Sequence, residues 1–137
     1  IRIQIMESET QKTLKELFAT QLLEFMDDII LVFPNNLDIK TGRTFIIGLT
    51  KVSKKKLIGI WKSSVVDIYE EAIMNGNKEY FINKDYSQDL GEGGTDKMMD
   101  VIEDVRGLIR NTSEENKDKA IKYLQNLKKI CKLYYAN

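Results

Sequence analysis

Residues 9–33 read ETQKTLKELFATQLLEFMDDIILVF, and this stretch is a strong indication of a long helix. Its apolar side chains recur every three or four residues, which is the period of one face of an α-helix. Ser8, followed three residues later by Gln11, forms a capping-box pattern, and Pro34 disfavours helical backbone in the residue before it. We therefore expect one helix of about 37 Å over this stretch. Its apolar face comprises Leu14, Leu17, Phe18, Leu22, Phe25, Met26, Ile29 and Phe33.

The same period predicts a second and a third helix further along the chain. The second covers 38–52, with Asp38 as its N-cap, and Gly42 and Gly48 each weaken it by about 1 kcal/mol relative to alanine. The third begins after Ser53 and ends at the Asn-Gly pair at 75–76, a sequence typical of helix C-termini.

A glycine-rich loop at 86–95 (YSQDLGEGGT) separates these helices from a C-terminal pair. The fourth helix begins at Thr95 or Asp96 and ends at Asn111, and the fifth follows a capping box over 112–115. A phosphate-binding loop would need a preceding strand and a Gly-Lys-Ser/Thr ending, which this loop lacks, so we interpret it as a linker.

The whole pattern predicts an all-α protein. Its 137 residues, 42% of them hydrophobic, correspond to a single compact domain of about five helices, with long first, third and last helices. We assign 1–7 to an N-terminal extension and 8–137 to the domain. Ile1 precedes Met6, so residues 1–5 are either a remnant or part of a chain that starts upstream. The periodicity fits an up-down bundle and a more orthogonal cluster equally well.

Composition excludes several kinds of chemistry. The chain contains no histidine, which excludes Ser-His-Asp and Cys-His catalysis and histidine-ligated metals. Its single cysteine, Cys131, forms no internal disulfide and favours a reducing compartment; its spacing places it on the buried side of the last helix. Lys+Arg and Asp+Glu are both 21, so no strong positive field attracts nucleic acid. No apolar run is long enough to span a bilayer. We predict no catalytic residue, cofactor or metal.

Two groups of charged residues remain as candidates for binding. Lysines at a helix N-terminus oppose the helix dipole, so the run at 54–56 indicates contact with phosphate or an acidic partner, or else a solvated turn. An acidic group, Glu24, Asp27 and Asp28, would suit a divalent metal in an enzyme or enzyme regulator, or else form a solvated face. The complete set of candidate phosphate or partner contacts is Lys51, Lys54, Lys55, Lys56 and Lys62.

Two apolar or aromatic regions are candidates for protein contacts. Tyr123, Tyr134 and Tyr135 are candidate interface residues, with partial burial against the last helix as the alternative. The end of the first helix, IILVF at 29–33, is apolar nearly all round. It therefore lies either at the centre of the core or in an oligomer contact.

Three blocks of sequence carry a resemblance to a known family. The first comprises Phe18, QL at 21–22, Phe25, DI at 28–29, FP at 33–34 and DIK at 38–40. The second is EYFINKDY at 79–86, and the third comprises SEENK at 113–117, YL at 123–124, Leu127 and CKL at 131–133. Over 18–133 the chain resembles a family of small, mostly uncharacterised helical proteins of large DNA viruses of algae and protists. The resemblance implies a viral origin and a role in the particle or in the infected cell, and it brings no active site.

These observations favour a non-enzymatic viral structural or interaction protein, with a minor capsid protein or other virion component as one form. Its expected partners are other virion proteins or a second copy of itself. Its expected location is the virion or the reducing host cytoplasm. The alternative is a nucleic-acid-associated helical protein that binds phosphates through its lysines.

Overall fold

The computed structural model describes residues 7–77 and 96–137, and within them the protein is all-α, as predicted. The predicted N-terminal extension falls almost entirely outside these ranges, and the glycine-rich loop at 86–95 falls wholly outside them. The helices in the described ranges are α1 (Glu9–Val32), α2 (Leu37–Val52), α3 (Lys54–Trp61), α4 (Asp67–Met74), α5 (Asp96–Arg110) and α6 (Glu114–Ala136).

The helix ends follow local capping chemistry, with two corrections to the sequence prediction. The box at α1 is confirmed, because Gln11 N–H donates to Ser8 Oγ and Ser8 N–H donates to Gln11 Oε1. Helix α2 is capped by Asn36 rather than by Asp38. Helix α6 is capped by Ser113 rather than by Thr112, the first residue of the predicted capping box. The hydroxyl of Thr112 instead accepts a hydrogen bond from the side chain of Asn116.

The predicted third helix is interrupted by a π-helical segment, Lys62–Val66, that joins α3 to α4. In an α-helix, side chains spaced four residues apart drift by about 40° per step. A π turn contains more residues than an α turn, so it offsets this drift. Trp61, Val65, Tyr69 and Ile73, spaced by four, are accordingly all buried.

The long helices α1 and α6 are antiparallel neighbours. Gln11 Nε2 donates a hydrogen bond to the backbone carbonyl of Tyr134, and the side-chain hydroxyl of Tyr134 donates one to Glu7. The start of α1 therefore meets the end of α6. At the other end of the pair the ring of Phe25 stacks on that of Tyr123. Helix α1 also packs against α2 and α3, and α2 packs against α5. The core therefore lies around α1.

The described helices are also too short or too polar for a transmembrane segment, since none of them meets the length and hydropathy that a bilayer span requires.

Candidate interaction surface

Three large apolar side chains lie exposed where α1 passes into α2. Leu31 is 79% exposed, Leu37 is 74% exposed, and Val32 is nearly half exposed. We call these three residues the apolar corner. They lie there because α1 keeps its apolar composition to its last residue, beyond the point where the core can cover every side of it. Single exposed leucines are ordinary on a protein surface, whereas a group of them points to a contact.

A pocket of about 60 Å³ adjoins the apolar corner. Ile29 and Val32 of α1, Ile109 of α5 and Ala120 of α6 form apolar parts of its wall, so three helices that are distant in sequence meet there. Val32 belongs to both the pocket and the corner. The pocket and the corner are therefore joined at Val32.

The polar groups in this pocket are already engaged within the protein. The hydroxyl of Tyr123 donates to Asp28, and its ring lies 4.9 Å from that of Phe25, centroid to centroid. The hydrogen bond to Asp28, followed by burial, raises the pKa of Tyr123 to about 12, so its hydroxyl stays a donor at neutral pH. The surface offers a partner apolar contact rather than free charge.

The three candidate tyrosines do not form one interface. Tyr123 and Tyr134 are eleven positions apart on α6, about 16 Å along its axis. Tyr134 is buried, and burial followed by its hydrogen bond to Glu7 raises its pKa. Tyr135 alone of the three is exposed, and Lys62 Nζ lies 5.5 Å from the centre of its ring. The sequence prediction missed this division because it depends on which neighbours cover each ring.

The lysine candidates are partly neutralised. Lys54 Nζ lies 3.5 Å from Glu16, and Lys62 Nζ lies 3.0 Å from Asp67. Their acidic partners lie on different helices, and the two lysines lie at opposite ends of α3, about 12 Å apart along its axis. Within the described residues no ion pair involves the remaining candidates, Lys51, Lys55 and Lys56.

The acidic candidates on α1 are held apart by separate partners. Asp27 accepts from Arg43 Nε at 2.5 Å, Asp28 accepts from Tyr123, and Glu24 accepts from a neighbouring glutamine on the same helix. In the part of the chain that the structure describes, no three Asp, Glu, Cys or His side chains are grouped to hold a metal ion.

Cys131 is completely buried on the core side of α6, as its spacing predicts. Burial raises the pKa of its thiol to about 12, which outweighs the nearby lysines. Since the thiolate is the reactive form, this cysteine acts as a small apolar core residue at neutral pH.

A second cleft, which the sequence did not indicate, lies between α2 and α5. Asp38, Asp100 and Asp104 are among the residues that line its volume of about 310 Å³. Burial, followed by repulsion from Asp38 and Asp100, raises the pKa of Asp104 above its usual value. The cleft is therefore a place where charge opposes folding.

We expect Asp104→Asn to stabilise the protein at neutral pH and to have no effect in acid. A raised pKa means that ionisation costs the folded state free energy, and this cost begins as the pH rises through the ordinary aspartate pKa of 3.8. The free energy of unfolding should increase by at most about 0.5 kcal/mol at pH 7, because Asp104 is partly exposed and solvent screens the repulsion. Urea unfolding of both proteins at pH 7 and pH 3 measures it, and an equal difference at both pH values would contradict this explanation.

Function has to be inferred from these surfaces. Comparison of the chain with protein-family models, with curated proteins and with solved structures finds no match.

Proposed function

We propose that this is a non-enzymatic structural or interaction protein that acts through protein–protein contacts. The observation that carries the proposal is the apolar corner with its adjoining pocket. Removing a leucine side chain from water contributes about 1.5–3 kcal/mol, and Leu31 and Leu37 keep most of their surface in water. A partner that covers them would gain this free energy.

The occupant we infer for this surface is a second copy of the chain. Its two charged pocket residues are engaged, Asp28 by Tyr123 and Lys119 by Glu115, whose oxygen lies 3.7 Å from Lys119 Nζ. A neutral apolar patch can meet its own copy across a two-fold axis without like-charge repulsion. A patch of one charge could not do so without cost.

A place in a virus particle is the more specific form of this proposal. It rests on the resemblance over 18–133, and it adds other virion proteins as partners and the virion or host cytoplasm as the location. Mass spectrometry of purified particles tests this form. Detection only in the soluble fraction of infected cells would contradict it and leave the self-association proposal standing.

Sedimentation velocity of the purified chain tests self-association directly. We expect a concentration-dependent dimer for the natural sequence and a monomer for the double variant Leu31→Asp/Leu37→Asp, because each new carboxylate would be buried in the interface. Because both residues are exposed in the monomer, the variant should fold normally, and its thermal unfolding midpoint should match that of the monomeric natural chain. Val52→Asp, which alters a side chain 81% exposed at the far end of α2, is the matched control and should still dimerise.

The same measurement separates the alternative function. A monomeric natural chain, or a dimer that Leu31→Asp/Leu37→Asp leaves intact, would overturn the proposal. A chain that instead shifts with a short DNA duplex, and releases it as salt rises, would favour phosphate binding through the lysines. In that case Lys54→Glu/Lys55→Glu/Lys56→Glu should abolish the shift.

A further inference from the structure

A second surface lies at the opposite end of the α1–α6 pair from the apolar corner. Here the end of α4 meets the C-terminal half of α6 and leaves an open groove of about 690 Å³. The groove shares no residue with the apolar pocket. We call it the basic groove, and its lining residues are Met74, Gln125, Asn126, Lys128, Lys129, Lys132, Leu133 and Ala136.

The basic groove has more positive than negative charge. Lys132 Nζ and Lys128 Nζ lie 2.5 Å and 3.6 Å from the same carboxylate, Glu70. The hydrogen bond from Lys132 lowers the pKa of Glu70, so this group carries one full negative charge at neutral pH. Lys129 is exposed and has no ion pair within the described residues. Among the described residues, the three ammonium groups of this groove are thus paired with one carboxylate.

The same groove exposes apolar side chains beside its charges. Met74 is 54% exposed and Leu133 is 44% exposed. Methionine adapts its shape to a partner more readily than a branched side chain. The wall that carries them is held in place, because Gln125 Nε2 donates to the backbone carbonyl of Ile73 at 3.0 Å and joins α6 to the end of α4.

We propose that the basic groove binds an acidic amphipathic helix of a partner protein. Such a helix presents apolar residues on one face, which Met74 and Leu133 would cover. Its flanking Asp or Glu side chains would meet the exposed Lys129 and the net positive charge that remains around Lys132 and its partner Glu70. A nucleic-acid backbone satisfies only the charges, since its phosphates offer nothing to the exposed methionine and leucine. The mixture of the two chemistries in one groove selects the peptide.

Fluorescence anisotropy with synthetic peptides tests this proposal on the full chain. One labelled helix carries leucines at i, i+3 or i+4 and i+7 with glutamates beside them, and a second of equal charge carries serines in place of the leucines. We expect the first peptide to bind and the second to bind at least about tenfold more weakly. Equal binding of the two peptides, or no binding of the first, would overturn the proposal.

Charge-reversal variants locate the binding. Lys129→Glu/Lys132→Glu should weaken the leucine peptide by about tenfold or more, whereas Lys55→Glu/Lys56→Glu, with the same change in net charge, should leave its affinity unchanged. Because Lys132→Glu also opposes Glu70, thermal melting is recorded for each variant, and Lys129→Glu alone provides a milder test. Equal losses from both double variants would mean general attraction to a cation-rich surface and would refute a specific groove.

A DNA duplex serves as the remaining probe. The duplex is added in competition with the leucine peptide. If it displaces the peptide, and if Lys129→Glu/Lys132→Glu no longer binds the duplex, the groove binds phosphate and the peptide proposal is overturned. Dimerisation through the apolar corner is scored separately by sedimentation, so either proposal can fail while the other holds.

Discussion

Replacing Phe18 by alanine is expected to lower the free energy of unfolding by about 3–5 kcal/mol. Phe18 lies on the face of α1 that packs against α3, and it has no exposed surface. Its ring meets that of Trp61 edge to face, with centroids 5.9 Å apart and planes at 66°. The substitution removes this aromatic contact and leaves a cavity that the long helices are too rigid to close. Domains of this size are stable by only about 5–15 kcal/mol, so the loss is severe.

The neighbouring residue provides the control for Phe18. Leu17 is 43% exposed on the same helix, so Leu17→Ala also shortens an apolar side chain to a methyl group but opens no core cavity. We expect its cost to be about 1 kcal/mol or less. Urea unfolding monitored by far-ultraviolet circular dichroism, which reports helix content, measures both variants. Comparable losses for the two would show that the α1–α3 contact is not packed as described.

Replacing Gly42 by leucine is expected to destabilise the protein by about 1–3 kcal/mol. A Cβ atom at this position would lie 3.1 Å and 3.3 Å from the two methyl groups of Val101 and 3.6 Å from Met26 Cε. Gly42 also borders the cleft that holds Asp104, but the first atoms of a leucine would press against Val101 and Met26, which are buried and have little freedom to yield. Helix α2 would therefore have to move away from α5.

Gly48 tests whether this close approach is the cause. It lies in the same helix, and no atom lies within 4 Å of a Cβ built on it. Gly48→Leu should therefore gain helix propensity without a clash and stabilise the protein by about 0.5–1 kcal/mol. Opposite signs for the two substitutions in thermal or urea unfolding are the expected result. If Gly42→Leu also stabilised the protein, α2 and α5 would not approach each other as closely as described.

The two glycines illustrate where sequence-based inference stops. From the sequence both carry the same propensity cost in the same helix. Only the approach of Val101, 59 positions further along the chain, distinguishes them. The lysine candidates show the same limit. The sequence does not reveal that Lys54 has an acidic partner, because Glu16 comes close to it only when α1 and α3 pack together.

The identity of the residue that caps each helix is predicted from the sequence with a smaller error. Ser8 and Gln11 were predicted correctly because the capping box is a relation between residues three apart. Thr112 and Ser113 both have hydroxyls that can cap a helix, and the choice of Ser113 moves the boundary by a single residue. The π segment was not predicted, because the four-residue spacing of Trp61, Val65, Tyr69 and Ile73 is visible in the sequence but is also compatible with an ordinary α-helix.

Local sequence patterns therefore predict the all-α class, most helix boundaries and the burial of Cys131, because these depend on residues close together in the chain. The packing of the helices determines that Tyr134 is covered while Tyr135 is not, that Val32 lines a pocket while Leu31 and Leu37 stay exposed, and that three lysines of α6 line a groove. A surface is made by side chains from distant segments, and their meeting depends on how the helices cross. Periodicity specifies which face of a helix is apolar, and it contains no information about which neighbour will cover that face.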